Sequence, residues 1–146
     1  MEAGLVQKES RLPYRAVPAA ALRGRNPLAL ARNATVLARG YRVARRLLAA
    51  ERPDVILGTG GYVCVPVFFA ARRLGVPTVI YLPDVVPGLA VKLLARIATG
   101  ISCSVGDSRP YFGNPANLTV TGYPVRRELF ELDRRTSRAA FGLRGK

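Results

Sequence analysis

Apolar positions along the chain fall into two kinds of block: short unbroken runs, and longer stretches with helical spacing. From Pro27 to Ala50, the residues Leu30, Ala34, Leu37, Tyr41, Ala44 and Leu48 recur at steps of four and three, which puts them on one helical face. Asn26 is a suitable N-cap and Pro27 suits the first helical position. Gly40 lowers the propensity of this helix without ending it. Arg32, Arg39, Arg42, Arg45 and Arg46 fall largely off the apolar face. Downstream, apolar runs predict strands over Pro53–Leu57, Thr78–Leu82, Ile101–Val105 and Asn117–Thr121. Between them lie predicted helices over Val63–Leu74 and Pro87–Ala98, with Pro66 tolerable only in the first turn. A short strand is expected near Tyr14–Val17 and a short helix near Thr136–Phe141. Strands spaced by helices of about 10–15 residues imply βαβ units and a parallel sheet with helices on both faces.

The densest signal is Val55-Ile56-Leu57-Gly58-Thr59-Gly60-Gly61-Tyr62, a strand running through glycines into a helix. That junction presents backbone N–H groups and a helix N-terminus to an anion. Glycine suits it by tolerating positive φ and by letting a phosphate approach closely. The spacing is neither GxGxxG nor a Walker A loop. A plain tight turn that lets helix and sheet pack closely is the competing explanation, and Gly61→Ala separates the two unless Gly61 needs positive φ.

Charge narrows the partners. Lys and Arg number 23 against 9 Asp and Glu, a formal net charge of +14. Most of the basic residues are Arg, which suits phosphate better than Lys does. The expected partner is anionic: nucleotide, lipid phosphate or nucleic acid. There is no histidine, so the commonest general base and metal ligand are absent. Cys64 and Cys103 form no CxxC and read as buried thiols of a reducing compartment. No metal, cofactor or catalytic residue is expected from this inventory. No run of about 18 apolar residues is present, so membrane contact is expected to be peripheral.

Four motifs, in this order and spacing, carry a family resemblance: Pro53-Asp54-Val55-Ile56-Leu57-Gly58-Thr59-Gly60-Gly61-Tyr62; Leu74-Gly75-Val76-Pro77; Pro87-Gly88-Leu89 with Leu94-Ala95-Arg96-Ile97-Ala98; and Gly122-Tyr123-Pro124-Val125-Arg126. Together they resemble the MurG family, the peptidoglycan N-acetylglucosaminyltransferases that convert lipid I to lipid II. The resemblance implies a GT-B fold, with this chain an incomplete N-terminal, Rossmann-like acceptor domain over residues 1–126. Residues 127–146 would begin the link toward a donor-binding domain. It implies that Gly58, Gly60, Gly61 and Tyr62 hold the diphosphate of an undecaprenyl-linked acceptor. Arg126 and Asp84 would meet the donor, UDP-N-acetylglucosamine. Arg23, Arg25, Leu28, Arg32 and Arg39 would face an anionic membrane surface, on the cytoplasmic side of a bacterial plasma membrane.

Two departures accompany the resemblance. Tyr81-Leu82-Pro83-Asp84 stands where the family usually reads His-Glu-Gln-Asn, so Asp84 accepts but does not donate a hydrogen bond to a sugar. The family's first glycine loop, ending in a histidine, is also absent, so the chain reads as a fragment that transfers no sugar alone. Two other functions compete. One is the membrane-docking acceptor subunit of a split transferase. The other is a basic nucleic-acid-binding module, disfavoured because no such motif is present and the aromatics form no stacking platform.

Overall fold

The computed structural model describes residues 12–21, 27–113 and 115–143, together with positions 4, 6, 8 and 10. Helix α1 spans Pro27–Glu51, strand β1 Ile56–Gly58, helix α2 Cys64–Leu74 and strand β2 Thr78–Leu82. Helix α3 spans Leu89–Ala95, strand β3 Gly100–Cys103 and strand β4 Leu118–Val120. Helix α4, Arg134–Ala140, follows. Two 3₁₀ segments, Gly106–Phe112 and Arg127–Phe130, were not foreseen from the sequence.

The four strands form one sheet in chain order, all parallel. Register pairs Gly58 with Ile80, Ile80 with Ile101, Leu82 with Cys103, and Ile101 with Leu118. Ile80, Leu82, Ile101, Cys103 and Leu118 therefore share a face, and Phe68 of α2 with Val91 and Leu94 of α3 close over them. This is the expected Rossmann-like α/β sheet, but its cover differs. Strands added in chain order by crossovers of one hand keep their connecting helices on one side. The opposite face is partly open: Leu57 is 66% exposed, and Val79, Tyr81 and Ser102 are half-buried. Helices on both faces are thus not found among the described residues.

The expected strand at Tyr14–Val17 is also absent. Residues 13–21 run without a strand ladder and instead cross α1. A Cβ on Gly40 would overlap the Pro18 carbonyl oxygen and come within 3.3 Å of Pro66 Cγ. Gly40 is therefore a crossing point, and this explains a glycine inside a 25-residue helix. Asn33 Nδ2 donates to the Ala21 carbonyl at 2.7 Å and fixes the same segment. Along the expected stripe of α1, Ala44 is buried and Leu37, Tyr41 and Leu48 are half-buried, but Leu30 and Ala34 are exposed. The stripe is covered only where α1 packs on α2. Asn26, the expected cap, lies outside the described residues.

Helix α3 is shorter than the predicted Pro87–Ala98. Gly88 is extended at φ −68°, ψ 167°, so the helix starts after it. At the other end Ile97 N–H and Ala98 N–H both bond to the Leu94 carbonyl, at 3.0 and 2.9 Å, closing the last turn.

Candidate functional site

Parallel strands carry their following loops to one edge of the sheet, the usual ligand edge of α/β folds. Here that edge bears Thr59–Val63 after β1, Pro83–Gly88 after β2, Ser104–Val105 after β3 and Thr121–Arg126 after β4. The sequence-predicted diphosphate and donor residues all fall on this edge or at its entrance.

The glycines of the first loop divide the work. Gly58 is buried, and a Cβ there would lie 2.6 and 2.8 Å from two ring atoms of Phe68. Its role is the close approach of α2 to β1. Gly60 and Gly61 have φ of +97° and +79°, the region that favours glycine. A Cβ on Gly60 would come within 3.1 Å of Val91 Cγ2, so the turn abuts α3. Around Gly61 the space is open. Gly61→Ala is consequently strained by backbone geometry and does not serve as a clean probe of ligand access.

Two consecutive positive-φ glycines turn the chain so that it enters α2 without a side-chain cap; Val63, the N-cap residue, makes none. Val65 N–H bonds to the Tyr62 carbonyl at 3.2 Å. Pro66, buried in the first turn, has no N–H to leave unsatisfied. Among the described residues, the N–H groups of Gly61, Tyr62 and Val63 have no acceptor. No acidic residue occurs between Leu57 and Leu74. Free donors, the positive end of a helix dipole and no opposing carboxylate make an anion-accepting corner, with the dipole contributing typically about 0.3–1 kcal/mol.

Cys64 belongs to this corner, although the sequence indicated only a buried thiol. Its Sγ donates to the Gly60 carbonyl at 2.7 Å and braces the turn from within. Burial pushes the Cys64 thiol pKa up, partly offset by backbone hydrogen bonds with Gly60 and Thr59. The only signal for this role was its position four residues after Gly60 at the head of a helix. Cys103, the last residue of β3, is buried in the core on the helix-covered face of the sheet.

Asp84 and Arg126 are both exposed. Ser108 Oγ, fully buried, donates to the Asp84 carbonyl at 3.4 Å and ties that loop to the 3₁₀ segment. Tyr81 OH donates to the Gly122 carbonyl at 3.2 Å and shares a 2.7 Å hydrogen bond with Ser104 Oγ. The residue that departs from the family pattern thus anchors the segment leading to Arg126. Among the described residues, no ion pair or hydrogen bond joins the Arg126 side chain to Asp84 or to the glycine turn.

On α1, Leu28, Arg32 and Arg39 are exposed and lie on one stripe opposite the apolar face. Arg23 and Arg25 lie outside the described residues. Among the described residues, no helix is long and apolar enough to cross a membrane.

Residues 1–103 match the family model of the glycosyltransferase family 28 N-terminal domain. A curated relative from Roseiflexus sp. (strain RS-1) is 59% identical over 160 aligned residues, covering 98% of this chain and 36% of that protein. A second, from Desulforamulus reducens, is 38% identical over 144 residues, covering 99% of this chain and 38% of that protein. Both are named UDP-N-acetylglucosamine–N-acetylmuramyl-(pentapeptide) pyrophosphoryl-undecaprenol N-acetylglucosamine transferase. The chain therefore spans a little over a third of the length of these relatives. The crystal structure of Acinetobacter baumannii MurG aligns with a TM-score of 0.66 at 24% identity, over 88% of this chain and 35% of that one. The UDP co-structure of Staphylococcus aureus MnaA aligns with a TM-score of 0.61 at 14% identity, over 84% of this chain and 34% of that one. Both likenesses speak for the fold.

Proposed function

Because the chain belongs to the glycosyltransferase family 28 N-terminal domain family, we propose that it is the acceptor-side part of a lipid I N-acetylglucosaminyltransferase. The donor is UDP-N-acetylglucosamine and the acceptor is undecaprenyl-diphosphate-linked N-acetylmuramoyl-pentapeptide. Residues 1–126 form the acceptor-binding portion, and residues 127–146 begin the link to a donor-binding partner domain. The observation that carries this reading is the glycine turn with unpaired N–H groups at Gly61, Tyr62 and Val63 on the ligand edge of a parallel sheet.

In this reading the turn holds the acceptor diphosphate. The acceptor hydroxyl gives its proton to a general base that is not assigned among this chain's residues, and its oxygen forms the new bond at the anomeric carbon of the donor sugar. The bond from that carbon to the UDP oxygen breaks, and its electron pair leaves with the diphosphate. Arg126 offsets the charge that develops there. Asp84, as an acceptor only, contacts a sugar hydroxyl. Neither Asp84 nor Asp107 is assigned as the base.

The enzyme is peripheral at the cytoplasmic membrane face, with Leu28, Arg32 and Arg39 toward the anionic surface. Nucleic acid is not a partner. Titration with inorganic pyrophosphate tests the site: the amide signals of Gly61, Tyr62 and Val63 should shift together. Gly61→Asn is the informative variant, since Asn tolerates left-handed φ better than most residues and places a side chain over the corner. It should stay folded and lose the shifts. Shifts that persist in a folded Gly61→Asn protein would remove the site.

A further inference from the structure

An apolar groove of about 720 Å³ runs where α1 packs against α2, within the size range of ligand pockets. Leu37, Val65, Phe69 and Leu93 form its walls, and Arg72 and Arg73 stand at its margin. A smaller cavity of about 170 Å³ is lined by Leu37, Val65 and Leu93 again, and by Leu89 and Tyr62. The two meet along the shared side chains, so one apolar path leads from the arginine margin to Tyr62 of the glycine turn. The path is not a closed core. Phe69 and Leu93 are each 40% exposed, Tyr62 is 41% and Leu89 67%.

The surroundings select an occupant. Arg42, Arg45 and Arg46 lie on the flank of α1 nearby and border a further cleft. Among the described residues, none of these three nor Arg72 or Arg73 has a carboxylate partner. Neither α1 before Glu51 nor α2 contains an acidic residue. An apolar trough with arginines among its lining at one end and Tyr62 of the glycine turn at the other matches an apolar chain that carries an anionic head.

We propose that this groove receives the first isoprenoid units of the polyprenyl diphosphate acceptor. The chain then leaves the glycine turn past Tyr62 and Leu89 and runs between α1 and α2 toward Arg72 and Arg73. This rests on the assignment of the turn as the diphosphate site. It places the start of the lipid in a protein groove, where a chain passing straight into the bilayer would leave Phe69 and Leu93 uncovered.

Farnesyl diphosphate, monomeric and without vesicles or detergent, is the probe, with inorganic pyrophosphate as its chainless control. Farnesyl diphosphate should bind at least about tenfold more tightly, since tenfold corresponds to about 1.4 kcal/mol and even partial burial of one five-carbon unit exceeds that. It should shift the signals of Val65, Phe69 and Leu93, which pyrophosphate should leave in place. Phe69→Gln with Leu93→Gln should abolish the gain and keep pyrophosphate binding; both side chains are exposed enough for the fold to tolerate the change. Equal affinity for the two ligands would overturn the groove and leave the diphosphate site standing. Failure of both ligands to bind would overturn the site and the groove together. Farnesyl binding that survives the paired substitution, or that appears only when vesicles are added, would also overturn it. If the paired variant does not fold, the signal map of the unaltered protein decides: shifts away from Val65, Phe69 and Leu93 reject the groove.

Discussion

Gly58→Ala tests the physical basis of the site most directly. Gly58 is the last residue of β1, and α2 lies across it through Phe68, which is 1% exposed. An added Cβ would sit 2.6 and 2.8 Å from ring atoms of Phe68 and 3.3 Å from Cys64 Sγ. Comfortable carbon contacts are about 3.5–4.0 Å, so relief needs a movement of roughly 1 Å. The ring cannot swing aside into solvent, because Ile80, Leu82, Val91 and Leu94 belong to the same buried cluster. Overpacking of this kind costs about 1–3 kcal/mol, which lowers the melting temperature by about 3–10 °C in a chain of this size. The φ of Gly58 is not among the positive values, so the loss is steric. Denaturant melts of the single and double variants separate the causes. Phe68→Leu removes the ring edge, and in that background Gly58→Ala should cost less than about 0.5 kcal/mol. An equal penalty with and without the Phe68 ring would refute the assignment of Gly58 as a packing residue and return it to the ligand-binding set.

Gly40→Ala should cost about 1–3 kcal/mol by the same mechanism, because its methyl meets the Pro18 carbonyl; limited proteolysis should then cut within residues 12–21 first. Tyr81→Phe removes the hydrogen bonds to Gly122 and Ser104, so amide exchange should quicken across residues 121–126 while the sheet stays protected. Helix α4 is capped by Asp133, whose carboxylate accepts from Thr136 N–H and Thr136 Oγ1 at 2.8 Å each. These bonds hold its pKa below the ordinary value, so their stabilisation is full above the unfolded pKa and is lost as pH falls through the folded one. Helical signal from residues 134–140 should therefore fade in acid in the native protein but show no such pH dependence in Asp133→Asn. Flotation with anionic vesicles should weaken with salt and fall further in Arg32→Glu with Arg39→Glu, at about 1 kcal/mol per basic residue; equal binding to neutral vesicles or to oligonucleotides would contradict membrane docking.

The sequence by itself determined the order and type of the main elements. Thr78–Leu82 was bounded correctly because Gly75-Val76-Pro77 ends one element and an unbroken apolar run begins the next. The strand–glycine–helix junction was legible for the same local reason, since positive φ and the absence of acids are properties of the residues themselves. Distances across the fold were not legible. That Gly58 serves packing while Gly60 and Gly61 serve the turn depends on where Phe68 and Val91 come to rest. That Cys64 braces the loop depends on the exit angle of α2. The value of Gly40 appears only once residues 12–21 cross α1, and no local pattern encodes that crossing. Periodicity marked one apolar face on α1 but not where along its length a neighbour would cover it, so Leu30 and Leu37 read alike and end up exposed and half-buried. The one-sided cover of the sheet follows from strand order, a consequence of chain handedness over many residues. Local chemistry chooses the elements; only their packing decides which side of each meets another part of the chain and which is left to meet a ligand.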